Sequence, residues 1–183
     1  MKNIFPLIIS AFVIISCENS HKEDIKSSDP VIIGSVKMPG TDVLTPLLVG
    51  ETNNQQTWID YIEAHNERNL DKIAQINAKD WIGYTPDGYV VKSTKAQIEA
   101  LDNWFRSSDP KWEVKWMIAN AAKNKDGVIE QWLTTGNDYT DIDESGNEIF
   151  EYNVHDVQFI NGKIKRINVY KRAKEGDLKE FSY

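Results

Sequence analysis

The sequence predicts an α+β fold, with helices first and an antiparallel sheet after them. Apolar residues recur at helical spacing between Trp58 and Phe105. From Trp112 onward they alternate along longer segments, punctuated by Asp126-Gly127 and Asn161-Gly162, dipeptides that close tight hairpins. A single cysteine allows no disulfide within the chain, so six Trp, seven Tyr and six Phe must supply a packed core. Helices followed by a meander of strands make an α+β architecture.

Residues 1–16 read as a signal peptide. Lys2 gives a positive start, and Ile4 to Ile15 is apolar except at Pro6 and Ser10. That run is shorter than the about 20 residues a membrane-spanning helix needs. Ile14-Ile15-Ser16-Cys17 resembles the lipobox of bacterial lipoproteins. The resemblance implies that Cys17 carries acyl chains such as palmitate and becomes the first mature residue. It also implies a cell-envelope location, with the protein lipid-anchored at the outer membrane. Residues 17–29 are polar and read as a tether. Within it, Lys22-Glu23-Asp24 resembles the export signal of surface lipoproteins in Bacteroidetes-type bacteria, but three charged residues in a linker read first as a solvated spacer.

The net charge is −7, and loss of the signal peptide makes it more negative, because Lys2 is the only charged residue there. Such a surface repels phosphate backbones and offers no basic stripe, so nucleic acid is not an expected partner. The lipid alone is expected to hold the protein at the membrane.

Residues 30–52 carry Pro30, Gly34, Pro39-Gly40, Pro46 and Gly50 between two apolar bursts, and read as an extended arm lying against the domain. The pocket domain is placed at 53–183. Its first helix is expected to begin near Thr57, capped through Thr57-x-x-Asp60, with Trp58, Tyr61, Ile62 and His65 on one stripe. After a break near Asn69, Leu70, Ile73, Ala74 and Ile76 give a second helix. A short strand over Asp80 to Thr85 ends at the turn Pro86-Asp87-Gly88. Thr94-x-x-Gln97 caps a third helix whose stripe is Ile98, Leu101, Trp104 and Phe105, and Pro110 closes it. Trp112, Val114, Trp116 and Ile118 then alternate as a strand. Strands over Val128 to Gly136, Asn147 to Ile160 and Lys163 to Lys171 complete the sheet.

This order of elements resembles the nuclear transport factor two-like superfamily, which includes SnoaL-type cyclases and ketosteroid isomerases. The residues that carry the likeness are Tyr61 through Asp71, Ala78-Lys-Asp-Trp81 through Pro86, Gln131 to Gly136, and Val157 through Ile164. The resemblance implies a cone-shaped, strongly curved antiparallel sheet wrapped around the helices, a cystatin-like roll with one deep pocket. It also implies that many members pair as homodimers through the convex face of the sheet, here Phe150, Tyr152 and Val154.

In the isomerases of that superfamily a first-helix tyrosine and a sheet acid hold an enolate oxygen, while a carboxylate ending the first strand moves the proton. Tyr61 matches the tyrosine. The acid position falls on His155 or Asp156, according to a one-residue register. The base position falls on Thr85, whose hydroxyl cannot accept a proton near neutral pH, so isomerase activity is not expected. His155 shares a strand face with Asn153, Val157 and Phe159, and is either an acid–base group or a structural histidine bonded to backbone. His65, Trp81, Leu101, Trp104 and Trp116 complete the expected lining. That lining suits a small, largely apolar molecule.

Other chemistries are poorly supported. Asp141-x-Asp143-x-Ser145-Gly146 begins like a calcium loop, but its twelfth position is Tyr152 instead of a bidentate Glu. There is no Cys pair or HExxH for zinc and no Gly-x-Ser-x-Gly elbow, and no metal or cofactor is expected. The leading reading is a binding domain without catalysis. An enzyme using His155 or Asp156 with Tyr61, and a protein-interaction domain, are the alternatives.

Overall fold

The computed structural model describes residues 29–38, 40–143 and 145–173. The signal peptide, Cys17, the tether up to residue 28 and residues 174–183 lie outside the described residues. In chain order the elements are β1 (Ile32–Lys37), β2 (Leu44–Val49), α1 (Asn53–Asn66), α2 (Leu70–Ile76), β3 (Asn77–Tyr84) and β4 (Val90–Val91). There follow α3 (Thr94–Ser107), β5 (Lys111–Lys123), β6 (Ile129–Ile142), β7 (Glu148–Ile160) and β8 (Lys163–Ala173). All the strands form one sheet in the order β1-β2-β5-β6-β7-β8-β3-β4, antiparallel everywhere except between β3 and β8. The helices pack on one face of it, around Trp58, Ile73, Leu133, Val157 and Ile164, each at most 1% exposed. The predicted α+β class is the observed one.

The stripe of α1 buries Trp58, Tyr61, Ile62 and His65. The helix starts at Asn53, four residues before Thr57, because the polar run Asn53 to Gln56 carries no apolar period to reveal it. Thr57 is therefore interior to the helix, and Thr52, at the N-cap, makes no side-chain bond. Asn66 clamps the other end to the sheet: its amide donates to the Trp112 carbonyl at 2.8 Å and accepts from the Trp112 amide at 2.9 Å. Arg68 then takes φ 59°, turning the chain into α2, where Asn69 caps by accepting from the Lys72 amide at 3.0 Å.

Two further boundaries differ from expectation. β3 begins at Asn77, directly after α2, and the cap of α3 is Ser93, whose hydroxyl accepts from the Ala96 amide at 3.1 Å. Gln97, expected as a capping partner, turns into the core instead.

The arm is a β-hairpin. β1 pairs with β2 from Ile32↔Leu48 to Lys37↔Leu44, and β2 joins the sheet through Leu48↔Ala121 and Val49↔Asn120. A side chain at Gly50 would meet the Asn120 backbone at 2.5–2.7 Å, so only glycine lets the chain leave β2 this close to β5. The acidic loop between β6 and β7 is a hydrogen-bonded turn. Asp143 accepts from the Ser145 and Asn147 amides, while Asp141 turns inward to the hydroxyls of Ser108 and Tyr139.

Candidate functional site

Between the helices and the concave face of the sheet lies a cavity of about 340 Å³. The α1 stripe supplies Trp58, Tyr61, Ile62 and His65, while α3 supplies Gln97, Leu101 and Trp104. Trp81 and Thr85 approach from β3 and the residue beyond it, Trp112 from β5, His155 from β7, and Ile167 and Val169 from β8. Of the residues singled out in the sequence, Tyr61, His65, Trp81, Thr85, Leu101, Trp104 and His155 therefore line one space.

Trp116 does not. The pairing of β5 with β6 shifts register between Val114 and Trp116, a bulge that reverses which side chains face inward. Trp112 and Val114 point to the core before it, Ala119 and Ala121 after it, and Trp116 ends on the convex face, 45% exposed. It lies over Gly136, where a side chain would meet its indole at 2.2–2.7 Å. Trp112 takes the place in the cavity wall that Trp116 was expected to fill.

Asp156 also misses the cavity. It faces the convex side, where its carboxylate accepts from the Thr134 hydroxyl at 3.0 Å, and burial pushes its pKa up. Inward-facing β7 residues are Asn153, His155, Val157 and Phe159, all buried, so the register places the histidine at the site. Asp80 and Asp87, the other acids near β3, form ion pairs with Lys165 and Lys171.

The polar atoms of the cavity are held by groups that the sequence pattern did not reveal. Gln97 donates to the Tyr61 hydroxyl oxygen at 2.6 Å and accepts from the Asn77 amide at 2.6 Å. The buried Trp81 indole N–H leans toward the same Tyr61 oxygen without reaching hydrogen-bond geometry. Burial raises the Tyr61 pKa well above its usual value, and these two donors offset that only in part. His65 lies with Nδ1 2.8 Å from the Tyr61 carbonyl oxygen, and Asn137 donates to His155 Nδ1 at 2.9 Å. Burial lowers the His65 pKa from 6.5 to about 4. The same cause, with the nearby charge of His65, lowers His155 to about 3.

Chemically the cavity is neutral and poorly tuned for moving protons. No Asp, Glu, Lys or Arg lines it among the described residues. Thr85 stands at the wall, its hydroxyl oxygen accepting from the Tyr89 amide at 3.0 Å. A useful general base has a pKa near the working pH. Both histidines are far weaker bases than that, and Tyr61 is a weaker acid than free tyrosine.

Solved structures with a similar fold exist. A protein of unknown function from Burkholderia pseudomallei, described as ntf2-like, matches at TM-score 0.54 and 17% identity, over 66% of this chain and 91% of its own. The chain has the nuclear transport factor two-like fold. An LEH-like epoxide hydrolase of M. tuberculosis matches at TM-score 0.54 and 12% identity, over 66% of this chain and 84% of its own. A protein of Kribbella flavida, provisionally named a ketosteroid isomerase, matches at 0.53 and 10%, over 72% and 91%. No family sequence model matches the chain, and no curated protein matches it in sequence. Identities this low establish the nuclear transport factor two-like fold alone, and function must come from the site.

Proposed function

We propose that the domain binds a small, uncharged, largely apolar molecule in this cavity and does not transform it. The observation that carries the reading is the wall. Four indoles, Trp58, Trp81, Trp104 and Trp112, surround about 340 Å³ together with aliphatic side chains and no ionised group. Such a lining favours flat, neutral ligands, because a charged one would lose its hydration without gaining a counter-charge. The catalytic alternative, Tyr61 acting with His155, is disfavoured by a base that is too weak and an acid that is too weak.

The neutral, polarity-sensitive fluorophore prodan is expected to bind with a blue-shifted emission and one site per chain. Leu101→Trp, which fills the cavity, is expected to abolish that signal. Unshifted emission, or a shift that survives the filling variant, contradicts the reading.

The location belongs to the same proposal: lipid on Cys17, with the tether carrying the domain at the cell envelope. The support is the lipobox-like Ile14-Ile15-Ser16-Cys17 after an apolar run. Radiolabelled palmitate is expected to enter wild-type protein and not Cys17→Ala. Absence of label from the wild type removes the anchor.

Self-association is the third component. Trp116, Ile118 and Tyr170 stand on the convex face at 45%, 54% and 59% exposure. Trp116, Gly136, Val154 and Tyr170 form one cross-strand row, with Ile118 beside it in the next. An apolar cluster of this kind favours cover by a second copy. Phe150 and Tyr152, also expected at that surface, pack edge-on at 5.1 Å, with Arg172 over the Tyr152 ring at 4.5 Å. Sedimentation velocity is expected to show a dimer that Ile118→Lys with Tyr170→Lys converts to monomer. A monomeric wild type contradicts this.

A further inference from the structure

The hydrogen-bond partners of the two cavity imidazoles assign them opposite tautomers, one through the helix and one through the sheet. His65 Nδ1 faces the Tyr61 carbonyl, which only accepts, so that nitrogen carries the proton and Nε2 is a bare acceptor. His155 Nδ1 faces the Asn137 side-chain amide at 2.9 Å. The same end of that amide faces the Thr135 carbonyl at 3.4 Å, and two oxygens would repel there, so the end is the nitrogen. It donates to His155 Nδ1, which leaves the proton on Nε2. Among the described residues neither Nε2 has a hydrogen-bond partner, and both rings line the cavity.

We propose that these two atoms read the ligand: His65 Nε2 accepts from a ligand hydroxyl, and His155 Nε2–H donates to a ligand carbonyl oxygen. The occupant is then a neutral, planar, aromatic molecule bearing both groups, of the hydroxyaryl ketone class. This rests on the cavity being a binding site. Both rings stay neutral at ordinary pH because protonating either would place an unpaired charge among the indoles. Tilted ring contacts, Trp58 with His155 at 5.1 Å and Tyr61 with His65 at 4.4 Å, hold the two rings in place.

Calorimetric titration with naphthalene, 2-naphthol and 2-acetonaphthone separates the two levels of the claim. Wild-type protein is expected to prefer each oxygenated probe over naphthalene by roughly 2–10-fold, the net worth of one hydrogen bond. His65→Leu is expected to lose the naphthol preference alone, and His155→Leu the acetonaphthone preference alone. No binding of naphthalene or its derivatives overturns the binding-site reading and this proposal with it. Naphthalene binding without either preference, or preferences that ignore the two substitutions, overturns this proposal only. Imidazole ¹⁵N shifts of the wild type give a check that needs no variant to fold. They are expected to show His65 protonated on Nδ1 and His155 on Nε2, and one shared tautomer overturns the assignment.

Discussion

Between pH 6.5 and pH 4 the protein is expected to lose stability on the order of 5 kcal/mol, and to take up nearly two protons on unfolding. The cause is the pair of histidines in the cavity, whose ordinary value of 6.5 is depressed by burial to about 4 at His65 and about 3 at His155. In that window the unfolded chain binds protons that the folded chain refuses. Stability therefore rises with pH across it and is lost as pH falls from 6.5. Asp141 adds a loss only at lower pH: burial alone would raise its pKa, but hydrogen bonds from Ser108, Tyr139 and two backbone amides outweigh that and hold it down. Urea midpoints at pH 7.0, 5.5 and 4.5 measure the slope, and a variant with both histidines replaced by Gln is expected to be much flatter. An equally steep wild-type and variant response would place the acid sensitivity elsewhere.

Trp58→Ala is expected to cost about 3–5 kcal/mol, the range for removing a large buried aromatic side chain. Trp58 is 1% exposed, sits 5.6 Å from the Tyr61 ring and 5.1 Å from the His155 ring, and belongs to both the core and the cavity wall. Trp116→Ala, on the convex face and 45% exposed, is expected to cost clearly less when both changes are made in the monomeric Ile118→Lys, Tyr170→Lys background, because less of its apolar surface is covered within the chain. Urea titration of the two variants at one pH compares them directly. Similar costs would mean that the bulge in β5 does not separate the two tryptophans as described.

The fold was legible because its signals are local and repeated. From Trp58 onward one face of α1 repeats at helical spacing, and Asn161-Gly162 leaves the chain little choice but a hairpin, with Asn161 at φ 50° and Gly162 at φ 71°. Much of the site was legible for the same reason: Tyr61 and His65 lie one helical turn apart, and His155 alternates with Val157 and Phe159. What escaped was non-local. A β-bulge leaves no mark in an alternating pattern, so Trp112, Val114, Trp116 and Ile118 read as one face when the strand changes faces between the second and the third. Gln97 looked like a capping residue because Thr94 precedes it by three; the real cap is one residue earlier. Its bond to Tyr61 spans 36 positions, as does no pattern in the sequence. The arm read as extended because its breakers dominate, although its two apolar bursts are the strands of a hairpin.

The central claim is that the space under α1 and α3 is where a neutral planar molecule sits. Intermolecular nuclear Overhauser contacts between bound 2-naphthol and the protein test it most directly. The account predicts contacts to the ring protons of Trp81, Trp112 and His65 and to the methyls of Leu101 and Val169, all lining the cavity. Contacts to Trp116, Ile118 and Tyr170 on the convex face instead would contradict it.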